Sequence, residues 1–371
     1  MKSLLLAASI ALVCSLVAAR GALKIQLRQE AKPKTNSNGL LLSDVVGAHL
    51  VNTHDVIYQG IVTVNGQKFA VVFDTGSDIL WVPGKNCTSS GPHATECASG
   101  KNLFDGSNGN RLGQSATVSF RIDYGTGMAA GKWVRATLGL GDPEAGNQIV
   151  MQDVDVGVAD RMEYIDKGVF GLSLQEPSGR KPMFIQAYEK QQFDEPIFTA
   201  FLKKCNGPCA DGGVITLGGF DKENCESIVD YVPVGNFGPL WQFPATGVHV
   251  NGQLVKQGYI SSIVDTGTSY IEFPHSIIDS VVGKLGAVKT GQFYTVPCDA
   301  KVDLKLTIAG NEYTINEQQL VLNQGWGSKC VVAVRDAGDE MMILGDPFFR
   351  SYCTVFDVKK RQVGFAKPKA Q

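Results

Sequence analysis

Two aspartates occupy nearly the same short motif, one in each half of the 371-residue chain. The first motif reads VVFDTGSD and contains Asp74, and the second reads SIVDTGTS and contains Asp265. In each motif an apolar run ends at the aspartate, and the glycine that follows tolerates the dihedral angles of a tight turn. If the two turns face each other, the carboxyl groups cannot both ionise at modest pH, so the pair shares one proton. Such a pair can act as acid and base on a water molecule without a metal, a cofactor or a covalent intermediate.

A single motif of this kind is weak evidence, because an aspartate before a turn often only hydrogen-bonds its own backbone. The motifs are, however, part of a longer internal repeat. Each copy is followed by an aromatic residue and a proline and, later, by two apolar residues and a glycine: Trp81, Pro83 and 168–171 in the first half, and Phe273, Pro274 and 342–345 in the second. We therefore interpret the chain as duplicated, with each half supplying one aspartate from the same local structure.

Short strands are the elements that must hold these turns in place. Glycine-punctuated runs rich in β-branched and aromatic residues predict strands at 70–73, 117–122, 213–217 and 353–358. Apolar residues at helical spacing predict helices at 182–191, 197–203 and 276–285. Because 42 glycines are available to turn the chain, the sequence predicts an all-β protein with few short helices.

The beginning of the chain has the pattern of a targeting signal. Lys2 precedes an apolar run at 4–13, and small residues at 17–19 precede Arg20. This order is typical of a cleaved signal peptide, which we place at residues 1–19. A transmembrane anchor is the alternative, but neither this run nor any later one reaches the ~18 apolar residues of a spanning helix. We expect a mature protein of the secretory pathway without a membrane anchor.

Eight cysteines remain once Cys14 is assigned to the signal: Cys87, Cys97, Cys205, Cys209, Cys225, Cys298, Cys330 and Cys353. In an oxidising compartment an even number predicts four disulfides. A metal site is the weaker interpretation, because the closely spaced Cys205 and Cys209 have no histidine at ligand spacing. The sequence alone leaves the pairing open.

Charge is nearly balanced over the chain, with 34 basic and 36 acidic residues. No basic stretch is interleaved with aromatic residues, as a nucleic-acid groove would require, so we expect no nucleic-acid partner. The segment 20–47, called the head below, is basic, whereas the remainder of the chain has an acidic excess.

From about residue 48 to its end, the chain resembles the pepsin-like family of aspartic proteases, of the pepsin and cathepsin D type. The segments that match are both Asp-Thr-Gly motifs, Trp81, 120–127, 168–171, Trp241 with Gln242, and 342–349. The resemblance implies an all-β, bilobal pepsin-like aspartic protease fold in which two pseudo-two-fold related β lobes surround a central cleft. It also implies a short basic propeptide at 20–47, an N-terminal catalytic lobe at 48–220 and a C-terminal catalytic lobe at 221–371.

The resemblance further implies a role for each residue of the two motifs. Asp74 and Asp265, called the dyad below, would hold the nucleophilic water. The supporting residues would be Gly76 and Gly267 as backbone donors to the carboxylates, Ser77 and Thr268 as partners of their outer oxygens, and Thr75 and Thr266 as the link between the two loops.

Residues around the dyad would bind the substrate. Tyr124 would lie on a hairpin flap and hydrogen-bond Trp81, with Gly125 and Thr126 beside it. Without the resemblance, a half-buried strand tyrosine would be the simpler interpretation. The apolar walls beside the cut bond would come from four residues that are equally plausible as plain core: Val72, Val169, Ile263 and Ile343.

Family positions imply the disulfides Cys87–Cys97 and Cys298–Cys330, and they leave Cys205–Cys209 and Cys225–Cys353 as the simplest remainder. The chain departs from the family pattern in three ways. Asp78 adds a carboxylate beside the dyad, the span from Asp74 to Tyr124 is long, and the head is short for a propeptide.

The implied activity is that of a monomeric aspartic endopeptidase, secreted or lysosomal/endosomal, that cuts protein or peptide substrates beside bulky hydrophobic residues at acid pH. The main alternative is a catalytically silent relative that binds peptides or inhibits other proteins. Such relatives usually lose an aspartate or the adjoining glycine, and both motifs are whole here. A glycosidase with two carboxylates would not explain the duplicated turn.

Overall fold

The computed structural model describes residues 23–29, 58–91, 97, 102–106, 119–141, 143–145, 148–165, 167–174, 180–204, 212–235 and 238–369. The predicted signal peptide and most of the head lie outside these residues. Among the residues described, no helix is both long enough and apolar enough to cross a membrane.

Strands dominate the first half of the chain. They are β1 (Leu23–Gln29), β2 (Tyr58–Val64), β3 (Gln67–Asp74), β4 (Leu80–Ser90), β5 (Ser119–Tyr124), β6 (Gly127–Leu140), β7 (Ile149–Glu163), β8 (Gly168–Gly171), β9 (Ile197–Leu202) and β10 (Gly213–Leu217).

The second half is built in the same way. Its strands are β11 (Cys225–Pro233), β12 (Gln242–Val250), β13 (Gln253–Val264), β14 (Ile271–Phe273), β15 (Val288–Thr290), β16 (Phe293–Pro297), β17 (Asp303–Ile308), β18 (Asn311–Asn316), β19 (Val321–Trp326), β20 (Lys329–Val332), β21 (Val334–Asp336), β22 (Met341–Leu344), β23 (Cys353–Asp357) and β24 (Gln362–Pro368).

Helices are short and few in the described parts of the chain. They are α1 (Met183–Glu189), α2 (Ile278–Leu285), α3 (Glu317–Leu320) and α4 (Asp346–Ser351), with a single 3-10 turn at Pro143–Ala145. The prediction of an all-β, two-lobed fold with few short helices is therefore confirmed.

The described strands form a thirteen-stranded, a seven-stranded and a four-stranded sheet. In the largest sheet the order begins β11-β24-β23-β9-β10-β1 and continues β2-β3-β8-β4-β7-β6-β5. Its first six strands, called the central sheet below, come from both halves of the chain and join the lobes. The seven-stranded sheet, in the order β18-β17-β12-β13-β22-β14-β21, carries the second Asp-Thr-Gly turn.

One predicted helix is wrong. The sequence pattern predicts a helix at 197–203, whereas Ile197–Leu202 form β9, which pairs with β10 on one side and β23 on the other. Five of its six residues are buried, so the apolar run fills both faces of an interior strand. Periodicity alone does not separate such a strand from a buried helix of similar length. The helices predicted at 182–191 and 276–285 are present but shorter.

Aromatic side chains pack the central sheet against the chain that connects the halves. The rings of Phe198 and Phe356 stack at 4.4 Å, and the edge of Trp241 lies 4.9 Å from Phe356. The buried Trp241 indole donates a hydrogen bond of 2.9 Å to the carbonyl of Leu172, directly after β8. These contacts fix the second half to the strand end that carries the first turn, because interiors this dense transmit displacement.

The head contributes a strand to the central sheet. Residues of β1 pair with β10 from Leu23 opposite Leu217 to Leu27 opposite Gly213. Ile25 is 2% exposed and packs over Gly60, so close that a methyl group added there would lie 2.7 Å from it. The apolar face of β1 is therefore part of the core, although the resemblance implies a propeptide for this segment.

Three disulfides lie in the described residues: Cys87–Cys97, Cys225–Cys353 and Cys298–Cys330, with Cα atoms 5.5, 6.1 and 4.8 Å apart. Cys225–Cys353 spans 128 residues and joins β11 to β23 within the central sheet. The predicted pair Cys205–Cys209 lies outside the described residues.

We expect Ile25→Ala to lower the free energy of unfolding of the precursor that retains the head by about 2 to 5 kcal/mol, the usual cost of truncating a buried isoleucine. Denaturant unfolding of the precursor measures this loss. Val288→Ala is the control, because Val288 is 65% exposed and its truncation should change stability by less than about 0.5 kcal/mol. Equal effects of the two substitutions would show that β1 is not part of the core.

Candidate active site

The two aspartates end equivalent strands. Buried β3 ends at Asp74 and runs parallel to β8, and the amide of Leu172 just after β8 donates to the Asp74 carbonyl at 2.7 Å. In the second half β13 runs parallel to β22, and the Asp265 amide donates to the Leu344 carbonyl at 3.1 Å. Each aspartate therefore leaves the edge of a short parallel pair, where the strand passes into a turn.

The glycines that close β8 and β22 also correspond to each other. The Gly171 amide donates to the carbonyl of Ile79 at 2.9 Å, and the Gly345 amide donates to the carbonyl of Tyr270 at 3.1 Å. A Cβ at Gly171 would lie 2.5 Å from backbone of Asp78, and one at Gly345 would lie 2.1 Å from the Thr268 carbonyl. Only glycine lets each turn pack so closely on the neighbouring strand.

Thr75 and Thr266 lock the two turns together across the axis. The Thr75 amide donates to the Thr266 hydroxyl at 3.1 Å, and the Thr266 amide donates to the Thr75 hydroxyl at 3.0 Å. Each hydroxyl then donates onward to a carbonyl of the opposite half, that of Val264 at 3.0 Å and that of Phe73 at 2.6 Å. All four bonds are buried, where hydrogen bonds are costly to break.

Each carboxylate is held by its own turn. Asp74 accepts a hydrogen bond of 2.8 Å from the Gly76 amide and another from the Ser77 hydroxyl. Asp265 accepts bonds from the Gly267 amide at 2.9 Å and from the Thr268 hydroxyl at 2.6 Å. The carboxyl groups are thereby fixed in rotation and face each other.

The environment of Asp74 keeps its proton bound. Burial raises the pKa of Asp74 well above its usual range, and the charge of Asp265 and a hydrogen bond between the two carboxyl groups raise it further. The hydrogen bonds from Ser77 and Gly76 oppose this shift in pKa without cancelling it. Asp74 is 6% exposed, whereas Asp265 is half-buried, so burial acts more strongly on Asp74.

A hairpin formed by β5 and β6 lies beside the dyad. Its Tyr124 hydroxyl accepts a hydrogen bond of 2.7 Å from the indole of Trp81. Gly125 and Thr126 form the tip between the strands. Gly127 must be glycine, because a Cβ there would lie 2.1 Å from the Glu163 carbonyl.

The four residues expected to form apolar walls lie in two cross-strand pairs. Val72 is opposite Val169 in the first half, and Ile263 is opposite Ile343 in the second. Val72 and Ile263 each precede a dyad aspartate by two positions in their strands, so each lies on the same face as that aspartate. Val72 and Ile343 are half-buried, whereas Val169 and Ile263 are 5% and 4% exposed.

Asp78, the extra carboxylate, is 2% exposed. It contributes to a cavity of about 470 Å³ whose other lining residues include Trp133, Arg135, Asp155 and Arg180. Neither Asp74 nor Asp265 lines this cavity, so the cavity is separate from the dyad.

The comparisons agree with this geometry. Residues 58–368 match the eukaryotic aspartyl protease family. Aspartic protease 2 of Necator americanus is 31% identical over 86% of this chain and 87% of its own length. Aspartic protease 1 of Caenorhabditis elegans is 32% identical over 85% and 83%, and the vacuolar aspartic protease of Candida albicans is 30% identical over 82% and 73%.

The family match covers most of the chain, and two of these relatives exceed 30% identity over most of both sequences. The chain therefore belongs to the eukaryotic aspartyl protease family and is an aspartic-type endopeptidase. The resemblance to the pepsin-like family seen in the sequence is confirmed.

We expect Gly267→Ala to reduce proteolysis by roughly a hundredfold or more, the effect of misplacing a reacting group by about 1 Å. The added Cβ would lie 2.5 Å from the Asp74 carboxylate, so one of the carboxyl groups must move. Hydrolysis of an unfolded protein at acid pH measures the effect. Gly283→Ala, on α2 with no atom within 4 Å of the added Cβ, is the control and should keep full activity. Similar activity in both variants would contradict the close approach.

Proposed function

We propose that Asp74 and Asp265 are the catalytic pair of this endopeptidase and hydrolyse peptide bonds with a water molecule held between them. The observation that carries the proposal is the placement of the two carboxyl groups, each of which lies against the glycine of the opposite turn. A Cβ at Gly76 would be 3.0 Å from the Asp265 carboxylate, and one at Gly267 would be 2.5 Å from that of Asp74. In this setting the pKa of Asp74 is raised well above its usual range. A pair in this state contains one acid and one base, as acid and base catalysis of peptide hydrolysis requires. Aspartic proteases, to whose family this chain belongs, are the known example of two carboxyl groups that share one proton.

In the first step the neutral Asp74 carboxyl protonates the carbonyl oxygen of the substrate while the Asp265 carboxylate takes a proton from water. The water oxygen forms a bond to the carbonyl carbon and gives a neutral tetrahedral diol. In the second step Asp265 delivers its proton to the amide nitrogen and Asp74 recovers a proton from a diol hydroxyl. The carbon–nitrogen bond breaks, and the products are a carboxylic acid and an amine.

The hydrogen bonds around the dyad serve this cycle by fixing geometry. The orientation of each carboxyl group is fixed by two donors, Gly76 and Ser77 for Asp74 and Gly267 and Thr268 for Asp265. The bonds between Thr75 and Thr266 keep the separation of the two carboxyl groups constant. Because these donors are in position before substrate binds, little reorganisation is needed in the transition state.

Tyr124 is proposed to close over bound substrate. Its hydroxyl is tethered to Trp81, which fixes the hairpin above the dyad, and Gly125 and Thr126 at the tip would contact the substrate backbone. Closure of such a hairpin excludes water and positions the peptide bond.

We propose that Val72, Val169, Ile263 and Ile343 select bulky hydrophobic residues on either side of the cut bond. The two pairs lie next to the aspartates on equivalent strands, so they flank the scissile bond from both lobes. An extended substrate between them would present alternate side chains to each wall.

The proposed pH dependence follows from the proton on Asp74. Because burial and the charge of Asp265 raise the pKa of Asp74, the one-proton state persists above the usual range of an aspartate and is lost as pH rises further. Activity therefore has an acid optimum and falls toward neutral pH.

We propose a secretory or lysosomal and vacuolar location, in which the head is the propeptide. The three described disulfides suit an oxidising compartment, and one relative is named a vacuolar protease. The two catalytic lobes are placed at 48–220 and 221–371, with residues 20–47 as the segment removed or displaced on activation. We propose that one lysine of the head, Lys32 or Lys34, reaches the dyad in the precursor; both residues lie outside the described part of the chain.

The described part of the head has a different acidic partner. Lys24 on β1 pairs with Asp221 at 3.2 Å and with Glu223 at 2.7 Å. Burial alone would raise the pKa of Asp221, but hydrogen bonds from Asn224 and Lys24 outweigh it and hold the pKa below its usual value. A carboxyl with a depressed pKa stabilises the docked head at neutral pH, and this stabilisation is lost as pH falls through the depressed value.

We expect Asp74→Asn and Asp265→Asn each to reduce peptide hydrolysis by several powers of ten, because each removes one of the two proton carriers. The measurement is hydrolysis of an unfolded protein between pH 2 and 7, with a transition-state peptide inhibitor of aspartic proteases as a further check. Asp299→Asn, in a turn of the second half, is the charge-matched control and should keep activity. Substantial activity in both dyad variants would refute the mechanism.

We also expect the purified precursor to be inactive near neutral pH and, on acidification, to become active with a new amino terminus between about residues 40 and 50. Amino-terminal sequencing against time at about pH 4 follows the conversion. Lys24→Gln should convert at a higher pH than the unsubstituted precursor, because the Asp221 contact that opposes release is weakened. A precursor that is fully active at pH 7 with Arg20 at its start would show that the head does not inhibit.

A further inference from the structure

The sheet register around the dyad repeats in the two halves and assigns a counterpart to Trp81. In the first half Trp81 lies opposite Val169 on β8 and beside Gly157 on β7. In the second half Glu272 lies opposite Ile343 on β22 and beside Arg335 on β21. Trp81 follows Asp74 by the same number of residues as Glu272 follows Asp265. A carboxyl group therefore occupies, in the second lobe, the place that the flap-supporting indole occupies in the first.

Glu272 points to the same face as Asp265. Its neighbours on β14, Ile271 and Phe273, are fully buried in the core, so the side chain between them projects to the opposite side of the sheet. Residues directly opposite each other on paired strands share a face. Ile263, Ile343, Glu272 and Arg335 thus form one row across four strands, which begins two positions before Asp265.

The Glu272 carboxyl is half-buried and available to a ligand. Within the described residues it makes no hydrogen bond and no ion pair within 4.0 Å, and Arg335 beside it is not bonded to it. Burial raises the pKa of Glu272 to about 7, Arg335 lowers it, and the charges of Asp265, Asp339 and Asp336 raise it. A second positive charge beside this carboxyl would favour its ionised form, as Arg335 does.

The surrounding surface is acidic. The elements packed against Glu272 carry three carboxylates. Asp336 and Asp339 follow Arg335 in the chain, and Glu340 accepts a hydrogen bond of 2.6 Å from the Ser276 hydroxyl. His275 hydrogen-bonds Asp336 at 2.8 Å, and β22 contributes no charge within Met341–Leu344. Arg335 and His275 are outnumbered by these carboxylates, so the local field favours cations.

We propose that Glu272 is a specificity-determining residue that receives a lysine or arginine side chain of the substrate, at one position a few residues from the cut bond. The inference rests on the proposed function, because it places Glu272 in the wall of the cleft that holds the peptide. An extended peptide over the row would lay the methylene stem of the basic side chain on Ile343 and bring its charged end to the carboxyl. Cβ atoms of directly opposite residues are only ~4.5 to 5.5 Å apart, so one side chain spans both.

The test is a competition between peptides that differ at one position. Each pair carries lysine or the uncharged isostere norleucine, and the position is scanned over the residues on both sides of one cut bond. Both peptides of a pair are hydrolysed by the same dyad, so the ratio of their kcat/KM values does not depend on the ionisation of Asp74 and Asp265. We expect lysine to be preferred at one position by roughly threefold to tenfold near pH 6.5, as for a partly desolvated ion pair.

Glu272→Gln should bring this ratio to that of an uncharged pocket, whereas Glu312→Gln, a charge-matched control on β18 paired with Lys305, should leave it unchanged. The ratio for the unsubstituted enzyme should rise as pH increases from about 5 toward about 7, because the pKa of Glu272 is raised to about 7 and its carboxyl gains charge as that value is approached. Arg335→Gln should raise the lysine preference, since it removes the competing cation. This variant decides the question if Glu272→Gln does not fold, which thermal unfolding shows.

The outcomes separate this inference from the proposed function. If the enzyme cleaves all peptides but prefers lysine at no position, or if Glu272→Gln keeps the preference, the role of Glu272 is wrong and the dyad mechanism stands. If Arg335→Gln leaves the preference unchanged where Glu272→Gln is unfolded, the role is also wrong. If the enzyme cleaves none of the peptides, the proposed function fails and this inference fails with it.

Discussion

The structure depends on holding two carboxyl groups in contact. Two negative charges in contact repel strongly in a buried site. Burial and the charge of Asp265 raise the pKa of Asp74 well above its usual range, so a proton bound by the pair relieves the repulsion. Holding the acids in this state needs fixed donors and a fixed separation. The amides of Gly76 and Gly267 supply the first, and the crossed bonds between Thr75 and Thr266 supply the second.

Fixing the separation of the turns requires that the two halves do not move independently. The central sheet meets this need, since β9, β10 and β1 from the first half continue directly into β23, β24 and β11 from the second. Trp241 adds a direct bond to Leu172 at the end of β8, so the strand beside the first turn is anchored by a residue of the second half. The head strand β1 lies between β10 and β2 in the thirteen-stranded sheet, which explains why its apolar residues are buried as deeply as the core.

The sequence predicted the parts of the site that depend on near neighbours. The bonds of Gly76 and Ser77 to Asp74 span two or three residues, so the local motif determines them, and the repeat indicated that the second copy would match. It did not predict β9, because an apolar run is compatible with a helix until the strands on both sides are known. It also aligned Phe273 with Trp81, both aromatic residues before a proline, whereas the sheet register pairs Glu272 with that position. A shift of one residue along a strand moves a side chain to the opposite face. Matching the aromatic residues therefore selected Phe273, which lies on the opposite face of the sheet, and only the strand pairing identifies Glu272 as the counterpart of Trp81.

The two halves correspond closely at the dyad and differ one strand away from it, for a physical reason. Next to the carboxyl groups a Cβ at Gly267 would clash with Asp74, and the hydrogen bonds between Thr75 and Thr266 fix the distance between the turns. Both halves must therefore supply the same residues. One strand further away the two faces of the cleft need not be alike, because the peptide substrate of the proposed function is asymmetric. In the first half this position holds an indole that hydrogen-bonds Tyr124 of the hairpin, and in the second half the equivalent position holds a carboxyl beside an arginine. Symmetry therefore builds the dyad, and under the proposed function its loss at Trp81 and Glu272 gives the cleft two different walls for a directional peptide.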